Sequence, residues 1–209
     1  MAPRQTRQRI LDGSLSLFNT RGEPNVTTNH IADELEISPG NLYYHFRNKD
    51  DIIEQLFSRY EARMDDALAA PDGRLPGLED IWLQLHLVFE CIWDHRFLYR
   101  DLVEILSRNR RLRIRFARIL KRADDRARLV IRGMSQAGII RASAAELDSA
   151  ATNILVLSTF WLNYAAIRGD KDEHAAIRDG IVQVMMLLAP FLRDAERVHL
   201  NNLTQAYLD

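Results

Sequence analysis

The sequence has a single cysteine, Cys91, which excludes an internal disulfide. Because Cys91 lies in an apolar stretch of helical pattern, we interpret it as a buried thiol. The first residues, MAPRQTRQRI, are polar and basic and lack the apolar segment of a secretory signal. This start predicts a cytoplasmic protein. Hydrophobic residues make up 47% of the chain and charged residues 27%, which are the proportions of a folded globular protein.

Sequence motifs of catalysis are also lacking. We find no nucleophile–base arrangement, phosphate-binding loop, nucleotide fingerprint or Cys/His metal signature. We therefore expect no enzymatic activity and no cofactor. His86, Glu90 and Asp94 recur every four residues on one predicted helix face, a spacing that could hold a metal ion. Since nothing else supplies a ligand set, we interpret them as a solvated or hydrogen-bonded face and expect no metal.

Strand-like alternation is absent as well, and almost every segment has the 3.6-residue periodicity of an amphipathic helix. The fold class is therefore all-α. The clearest break in the pattern is Pro71-Asp72-Gly73.

No charge occurs between Asp148 and Arg168, a length that approaches a membrane span. Its serines, threonines and asparagines favour a helix buried between protein surfaces. Helices are expected at 6–19, 28–35, 39–46, 49–69, 78–94, 96–107, 110–136, 145–167, 173–189 and 193–207.

The net charge of −1 does not by itself indicate a nucleic-acid-binding protein, but the charge is unevenly distributed. Residues 50–95 are acidic, whereas residues 96–132 are strongly basic. The stretch RNRRLRIRFARILKRADDRAR, which begins at Arg108, leaves two interpretations open. Its charged side could be solvated and face acidic helices around residues 61–80. Alternatively, some of its arginines could lie at the mouth of a pocket and attract an anionic ligand.

Residues 27–46 predict a helix-turn-helix. Thr27 and Thr28 offer a cap for one short helix, and Ser38-Pro39 begins a second about three residues after the first ends. The pattern turns five apolar side chains inward and leaves the polar remainder of the second helix exposed. Exposed tyrosines suit contacts with thymine methyl groups and phosphates, so we expect this helix to enter the major groove of DNA. The inward set is Ile31, Leu35, Ile37, Leu42 and Phe46; the outward set is Asn41, Tyr43, Tyr44 and His45.

The same stretch resembles the DNA-binding domain of the TetR family of bacterial regulators. It contains T-T-x-x-I-A-x-x-L, then S-x-G-x-L-Y-x-H-F, then N-K-x-x-I. The resemblance implies a three-helix DNA-binding domain over residues 1–48 and a larger helical ligand-binding and dimerisation domain over residues 49–209. It also implies a homodimer that binds a palindromic double-stranded DNA operator, as a repressor. The positions it places at DNA are Thr28, Asn29, Pro39, Gly40, Asn41, Tyr43, Tyr44, His45 and Lys49.

The turn of this motif departs from the usual pattern. The position after Leu35 is often glycine in such motifs because it favours a positive φ, but here it is Glu36. A side chain in that conformation costs on the order of 1 kcal/mol. The departure concerns the backbone conformation of the turn rather than the presence of a turn.

Large rings are abundant in the middle of the chain, and they could line an apolar cavity for a small effector. Core packing would explain each of them singly. The segment HRFLYRDLVEILSRNRRLR, with FWLNY later, resembles a TetR branch that includes regulators linked to polyhydroxyalkanoate metabolism. That resemblance suggests a fatty acyl or acyl-CoA effector. The candidate ligand-binding residues are Trp82, His86, Phe89, Trp93, Phe97, Phe116, Phe160, Trp161 and Tyr164.

The uncharged helix and the one that follows it are the expected dimer interface, because the resemblance implies a four-helix interface between subunits. A monomeric core would explain the same residues. A further alternative is a helical protein-interaction module that keeps the fold but has no specific DNA binding; the retained aromatic residues of the second motif helix argue against it. The expected interface residues are Leu155, Leu162, Ile181, Val184, Met185 and Leu188.

Overall fold

The computed structural model describes residues 3–69, 75–169 and 173–205, so the predicted break at Pro71–Gly73 lies outside the described residues. Within these ranges the structure contains helices and one isolated β-bridge, Ile140 to Leu192, but no strand. The predicted all-α class is confirmed. The helices are α1 Pro3–Arg21, α2 Thr28–Glu34, α3 Pro39–His45, α4 Lys49–Ala67, α5 Leu78–Asp94, α6 Arg96–Arg100, α7 Leu102–Arg108, α8 Arg110–Gln136, α9 Ala144–Arg168, α10 Glu173–Met186 and α11 Asp194–Gln205.

Most helix boundaries lie within two or three residues of their predicted positions, with two exceptions. The helix expected over residues 96–107 is divided into α6 and α7 at Asp101. The helix expected to reach residue 189 ends at Met186, and a 3₁₀ turn follows at Ala189–Phe191. Pro190, inside that turn, has no amide hydrogen to continue an α-helix.

The chain packs as two compact units. The first, called the head, runs through Arg63 and also includes Asp94–Arg115. The second, called the body, comprises Met64–Trp93 and the chain from Phe116 onward. The head therefore contains α6 and α7 in addition to the three N-terminal helices. The functional boundary expected between residues 48 and 49 remains a prediction, because the units are defined by packing alone.

The head is built around the apolar faces of its short helices. Ile31, Leu42 and Phe46 are buried as expected, whereas Leu35 and Ile37 are half-buried. Phe18 of α1 packs against Phe97 of α6, with ring centroids 5.3 Å apart. The segment 94–115, although distant in sequence, thus contributes directly to the core beneath the helix-turn-helix.

The body core is formed by α5, α8, α9, α10 and α11. Trp161 of α9 is buried, and its indole nitrogen donates to the carbonyl of Ala176. Gly180 lets α10 approach closely: a Cβ there would lie 2.5 Å from Phe89 and 2.6 Å from Trp161. By length and composition α9 could cross a membrane, but a core helix passes the same test. Here one of its faces is buried in the body core.

This core corrects the expected dimer interface. Five of the six predicted residues are buried inside the body, and only Leu155 is partly exposed. A side chain that is covered by its own chain offers little surface for a second chain to contact. The correction arises because an apolar position has the same sequence signature whether another helix of the same chain or of a partner covers it. The five buried residues are Leu162, Ile181, Val184, Met185 and Leu188.

The turn between α2 and α3 has the left-handed conformation that usually calls for glycine. Glu36 has φ 53°, and it is the only non-glycine residue with positive φ in the described ranges. The amide of Ile37 donates to the carbonyl of Ala32, and that of Glu36 to Asp33, at 3.0 and 3.1 Å. This is the Schellman arrangement that ends many helices. Arg9 of α1 also donates to the carbonyl of Leu35 at 3.2 Å, so the turn is braced from outside the motif.

Replacing Glu36 by glycine should stabilise the protein. The change removes the left-handed cost of a β-carbon, while the freer unfolded chain offsets part of the gain. We expect the free energy of unfolding to rise by about 0.5–1 kcal/mol in urea titrations. Glu36→Ala is the control, since it removes the carboxylate but keeps the Cβ. An equal rise in the free energy of unfolding for both variants would mean that the Glu36 carboxylate, and not its left-handed backbone, destabilises the protein.

Candidate nucleic-acid interface

Side-chain caps set the two motif helices at their starts. The hydroxyl of Thr27 accepts from the amide of His30 at 3.2 Å, and the ring of His30 accepts from the amide of Thr27 at 3.3 Å. This reciprocal pair satisfies two amides that the first turn leaves without partners. The hydroxyl of Ser38 accepts from the amide of Asn41 at 3.2 Å, and Pro39 occupies the first helical position. The predicted caps are therefore confirmed.

The outward face of α3 is aromatic and polar. Tyr44 is 79% exposed and Tyr43 is 49% exposed. The hydroxyl groups of Tyr43 and Thr28 lie 3.0 Å apart, so the recognition helix is tied to α2 at the surface. The rings of Tyr44 and His45 meet edge to face, with centroids 5.0 Å apart. Of the other positions expected at DNA, Asn29, Pro39, Gly40 and Asn41 are also exposed, and the structure brings all of them to α2 and α3.

Lys49 differs from the other residues expected at DNA. Its ammonium lies 2.7 Å from the carboxylate of Glu23 and donates to the carbonyls of Glu23 and Val26, both at 3.0 Å. Two of its three hydrogens are thus donated to carbonyls, and its charge is paired with the carboxylate. In this structure Lys49 joins the start of α4 to the turn before α2. Its contact with a phosphate remains a prediction.

Glu23 itself is the most unusual side chain of the head. Its carboxylate is fully buried, and it lies between Lys49 and Arg108 at 2.7 Å from each. Burial lowers the pKa of the Arg108 guanidinium, but the hydrogen bond and charge of Glu23 outweigh this, and the net pKa is raised. Arg108 ends α7, so one carboxylate links the turn before α2, the start of α4 and the end of α7.

A second set of contacts holds the same segment from α1. The side chain of Asn19 donates to the carbonyl of Asp94 at 2.9 Å and accepts from the amide of Phe97 at 3.1 Å. Arg100 donates to the carbonyl of Asn19 at 2.9 Å. The amide of Glu23 donates to Asp101 at 3.2 Å. Burial raises the pKa of Asp101, and the charge of Glu23 adds to this, whereas the amide donor lowers it.

The sequence analysis missed Glu23 and also Arg47. Nothing in the periodicity marks Glu23, because its partners Lys49 and Arg108 lie far along the chain. Arg47 is exposed between α3 and α4, and its guanidinium has no partner among the described residues. Arg7 of α1 stacks over the ring of Phe46, with its guanidinium carbon 4.8 Å from the centroid. Two cations thus lie close to the C-terminal end of α3.

The nine side chains expected to bind a ligand do not form one cavity. Phe97 belongs to the head core, whereas Phe89, Phe116 and Trp161 are buried in the body. Phe160 and Tyr164 lie on the exposed side of α9. The remaining three, Trp82, His86 and Trp93, are half-buried on α5. The body does contain a small apolar cavity of about 50 Å³, but its walls are other residues: Ile81, Gln84, Leu85, Ala127, Val130, Ile131, Ile154, Val184 and Leu188.

The basic stretch pairs with acidic residues of α4, as the first of its two interpretations expected. In the head, Arg111 lies 3.2 Å from Glu54, and Arg115 lies 2.6 Å from Glu61. In the body, Arg122 of α8 lies 2.7 Å from Asp65 of α4. Among the predicted metal-spacing residues, His86 lies 3.3 Å from Glu90. The described ranges contain no cluster of three or more His, Cys, Asp or Glu side chains that could hold a metal ion.

Removing the buried carboxylate should destabilise the head. Glu23→Gln leaves Lys49 and Arg108 facing each other without their counter-charge. Both cations remain partly exposed, so we expect a loss of about 2–4 kcal/mol in the free energy of unfolding, below the cost of breaking a fully buried pair. Urea titration followed by circular dichroism measures it.

Glu34→Gln is the matched control for that variant. Glu34 pairs with Arg21 at 3.6 Å, and both side chains are about half exposed. Exposed pairs of this kind contribute less than about 1 kcal/mol. Equal stability of the two variants would show that Glu23 does not hold the head together.

Comparisons with known proteins agree with this architecture. A family model described as "Bacterial regulatory proteins, tetR family" matches residues 10–56. Another, described as "TetR: Bacterial transcriptional repressor", matches residues 59–200. The second match alone covers well over half of the chain.

Individual relatives support the same assignment. A TetR-family transcriptional regulator from Marinobacter aquaeolei VT8 has a similar structure, with TM-score 0.88 and 37% identity over 97% of this chain and 98% of that one. A putative transcriptional regulator from Saccharomonospora viridis in complex with choline shares the fold, with TM-score 0.67 and 22% identity over 97% of this chain and 96% of that one.

The HTH-type transcriptional repressor KstR2 of Mycolicibacterium smegmatis is 33% identical over 117 residues, which are 50% of this chain and 53% of that protein. The chain thus matches about half the length of the curated relatives compared with it. The family models, the relatives and the helix-turn-helix geometry lead to one conclusion: the chain belongs to the TetR family of bacterial transcriptional regulators.

Proposed function

We propose that the protein is a cytoplasmic repressor that binds a palindromic DNA operator as a homodimer and releases it when a small effector binds. The observation that carries the proposal is the exposed face of α3. Tyr43, Tyr44 and His45 lie on a short helix whose start, end and turn are all fixed by hydrogen bonds. Such a rigid polar and aromatic ridge suits the major groove of DNA.

The base-reading contacts that we propose come from α3 and the start of α2. Asn41, Tyr43, Tyr44 and His45 would face base edges or sugar-phosphate, with Thr28 and Asn29 beside them. Pro39 and Gly40 would bring the start of α3 close to the backbone. Lys49 could reach a phosphate only by giving up one of its three internal partners. We therefore assign the phosphate contact on this side to Arg47.

Substitutions on α3 should weaken specific binding without unfolding the protein. We expect Tyr43→Ala and His45→Ala each to weaken binding of a selected operator about ten- to a hundredfold, since a base contact contributes about 1–3 kcal/mol. Arg47→Ala should weaken binding to all sequences alike and reduce the slope of log affinity against log salt by about one. Fluorescence anisotropy with an operator selected from random duplexes measures both effects.

Val103→Ala is the control for those variants, because Val103 is exposed in the same unit but lies on α7. Unchanged operator binding by both α3 variants would overturn the recognition-helix assignment. If the wild-type protein showed no preference over random DNA, the alternative of a helical interaction module without specific DNA binding would replace the proposed function.

The proposed dimer face is the exposed side of α9. Val156, Phe160, Tyr164 and Ile167 follow one another at spacings of three or four residues, so they share one helix face. Ile167 is 87% exposed. Met186 at the end of α10 is exposed too. A contiguous apolar surface of this kind marks an interaction site, and a palindromic operator requires two copies of the head.

A charge on that face should separate the subunits. We expect Phe160→Glu to elute as a monomer in size-exclusion chromatography with light scattering, and to bind the full operator far more weakly because only one half-site is engaged. Leu129→Glu is the matched control, since Leu129 is 60% exposed on α8 of the same unit. A Phe160→Glu protein that remained dimeric would exclude this face as the interface.

The proposed effector is a small apolar molecule of acyl type, either a fatty acid or an acyl thioester. Two observations support it. The body encloses an apolar cavity, and α6–α8 and α9 carry the sequence features that resemble the branch linked to polyhydroxyalkanoate metabolism. The Saccharomonospora viridis neighbour was solved in complex with choline, so a protein of this fold binds a small molecule.

A further inference from the structure

The cavity of the body is apolar except at one wall. Eight of its nine lining residues are aliphatic or alanine, contributed by α5, α8, α9, α10 and, after α10, Leu188. The ninth is Gln84 of α5. An alkyl chain would therefore meet aliphatic side chains on most sides, and any polar end of a ligand would have to lie near Gln84.

Gln84 uses both ends of its amide. Its nitrogen donates to the carbonyl of Ala67, the last residue of α4, at 3.2 Å. Its oxygen accepts from the Nε of Arg126 on α8 at 3.2 Å. The only polar side chain in the cavity wall is thus hydrogen-bonded to an arginine on one side and to the end of α4 on the other.

Arg126 lacks a counter-charge of its own. Its neighbours on α8, Arg122 and Arg128, pair with carboxylates at 2.7 and 2.8 Å, but Arg126 forms no ion pair with any described residue. Burial lowers the pKa of the Arg126 guanidinium, and the charge of Asp80 offsets this only in part. Four of its five N–H donors are without a described partner, and a guanidinium fork of this kind fits a carboxylate.

We propose that Arg126 binds the carboxylate of an effector whose short or medium alkyl chain enters the cavity beside Gln84. The inference rests on the proposed function and deepens it, because it names the charged group of the effector and the residue that selects it. A carboxylate would supply the missing counter-charge, and the aliphatic walls would cover the chain. The cavity volume of about 50 Å³ would hold only a short part of the alkyl chain, which disfavours long chains.

The same contact supplies a route to α4. A carboxylate on Arg126 would lie beside the amide oxygen of Gln84, and repulsion between these oxygen atoms would favour a rotation of the Gln84 side chain. When the Gln84 side chain moves, the carbonyl of Ala67 loses its donor. The C-terminal end of α4 thereby loses one of its attachments to the body, and α4 begins at Lys49 directly after the helix-turn-helix.

The test uses octanoate as the probe and the full chain as the protein. Calorimetry should show saturable binding of octanoate, and octan-1-ol and methyl octanoate should bind at least tenfold more weakly. Arg126→Gln should weaken octanoate binding about ten- to a hundredfold, the usual effect of losing a charged hydrogen bond. Arg118→Gln is the matched control, because Arg118 is an exposed arginine on the same helix. It should bind octanoate like the wild type.

The DNA readout separates this inference from the proposed function. Octanoate should lower the operator affinity of the wild type and of Arg118→Gln but not that of Arg126→Gln. Arg126→Lys keeps the positive charge but lacks the paired N–H donors of a guanidinium, so octanoate should lower its operator affinity only slightly.

Equal binding of octanoate and octan-1-ol, or unchanged octanoate binding by Arg126→Gln, would overturn the inference while operator binding stands. Octanoyl-CoA binding that is indifferent to Arg126→Gln and displaces octanoate would also overturn it. Loss of specific operator binding in the wild type would instead overturn the proposed function.

Discussion

The buried carboxylate of Glu23 is the constraint on which the head depends. An ionised carboxylate with no exposure to water is tolerated only when its charge is compensated, and here Lys49 and Arg108 both lie 2.7 Å away. Each cation belongs to a different helix end, so the cost of burial can be met only when α4 and α7 are both in place. The position of the helix-turn-helix is therefore coupled to the segment 94–115 by electrostatics, in addition to apolar packing.

Local sequence features predicted most of the DNA-reading elements because their causes are local. A threonine and a serine that accept hydrogen bonds from amides three residues later fix where α2 and α3 begin. The left-handed turn at Glu36 follows from the spacing of the two helices, although the residue type argues against it. Glu23 could not be predicted in this way. Its burial depends on partners that only the folded chain brings together.

The face of α9 shows a different limit of sequence patterns. Leu162 and Phe160 are both apolar and lie two positions apart, yet one is buried in the body and the other is about half exposed. Periodicity shows that the helix has apolar faces, but it does not show which face its own chain covers. The sequence pattern did not separate these faces for this reason: Ile181, Val184, Met185 and Leu188 belong to the core, and Phe160 and Tyr164 belong to the open surface.

Helix α4 gives these separate observations a common consequence. At its first residue, Lys49 is held in the head by Glu23; at its last residue, the carbonyl of Ala67 is held in the body by Gln84. Between these ends, Glu54, Glu61 and Asp65 pair with arginines of α8. The backbone of α4 is one continuous ladder of i→i−4 hydrogen bonds, so its two ends belong to one element. The Lys49 contact is the stronger of the two, since it combines an ion pair to a buried carboxylate with two hydrogen bonds, whereas the Gln84 contact is a single neutral hydrogen bond. A ligand that moves α4 at a low cost in free energy therefore has to act at the Gln84 end. The apolar cavity and Arg126, which forms no ion pair with a described residue, lie at that end.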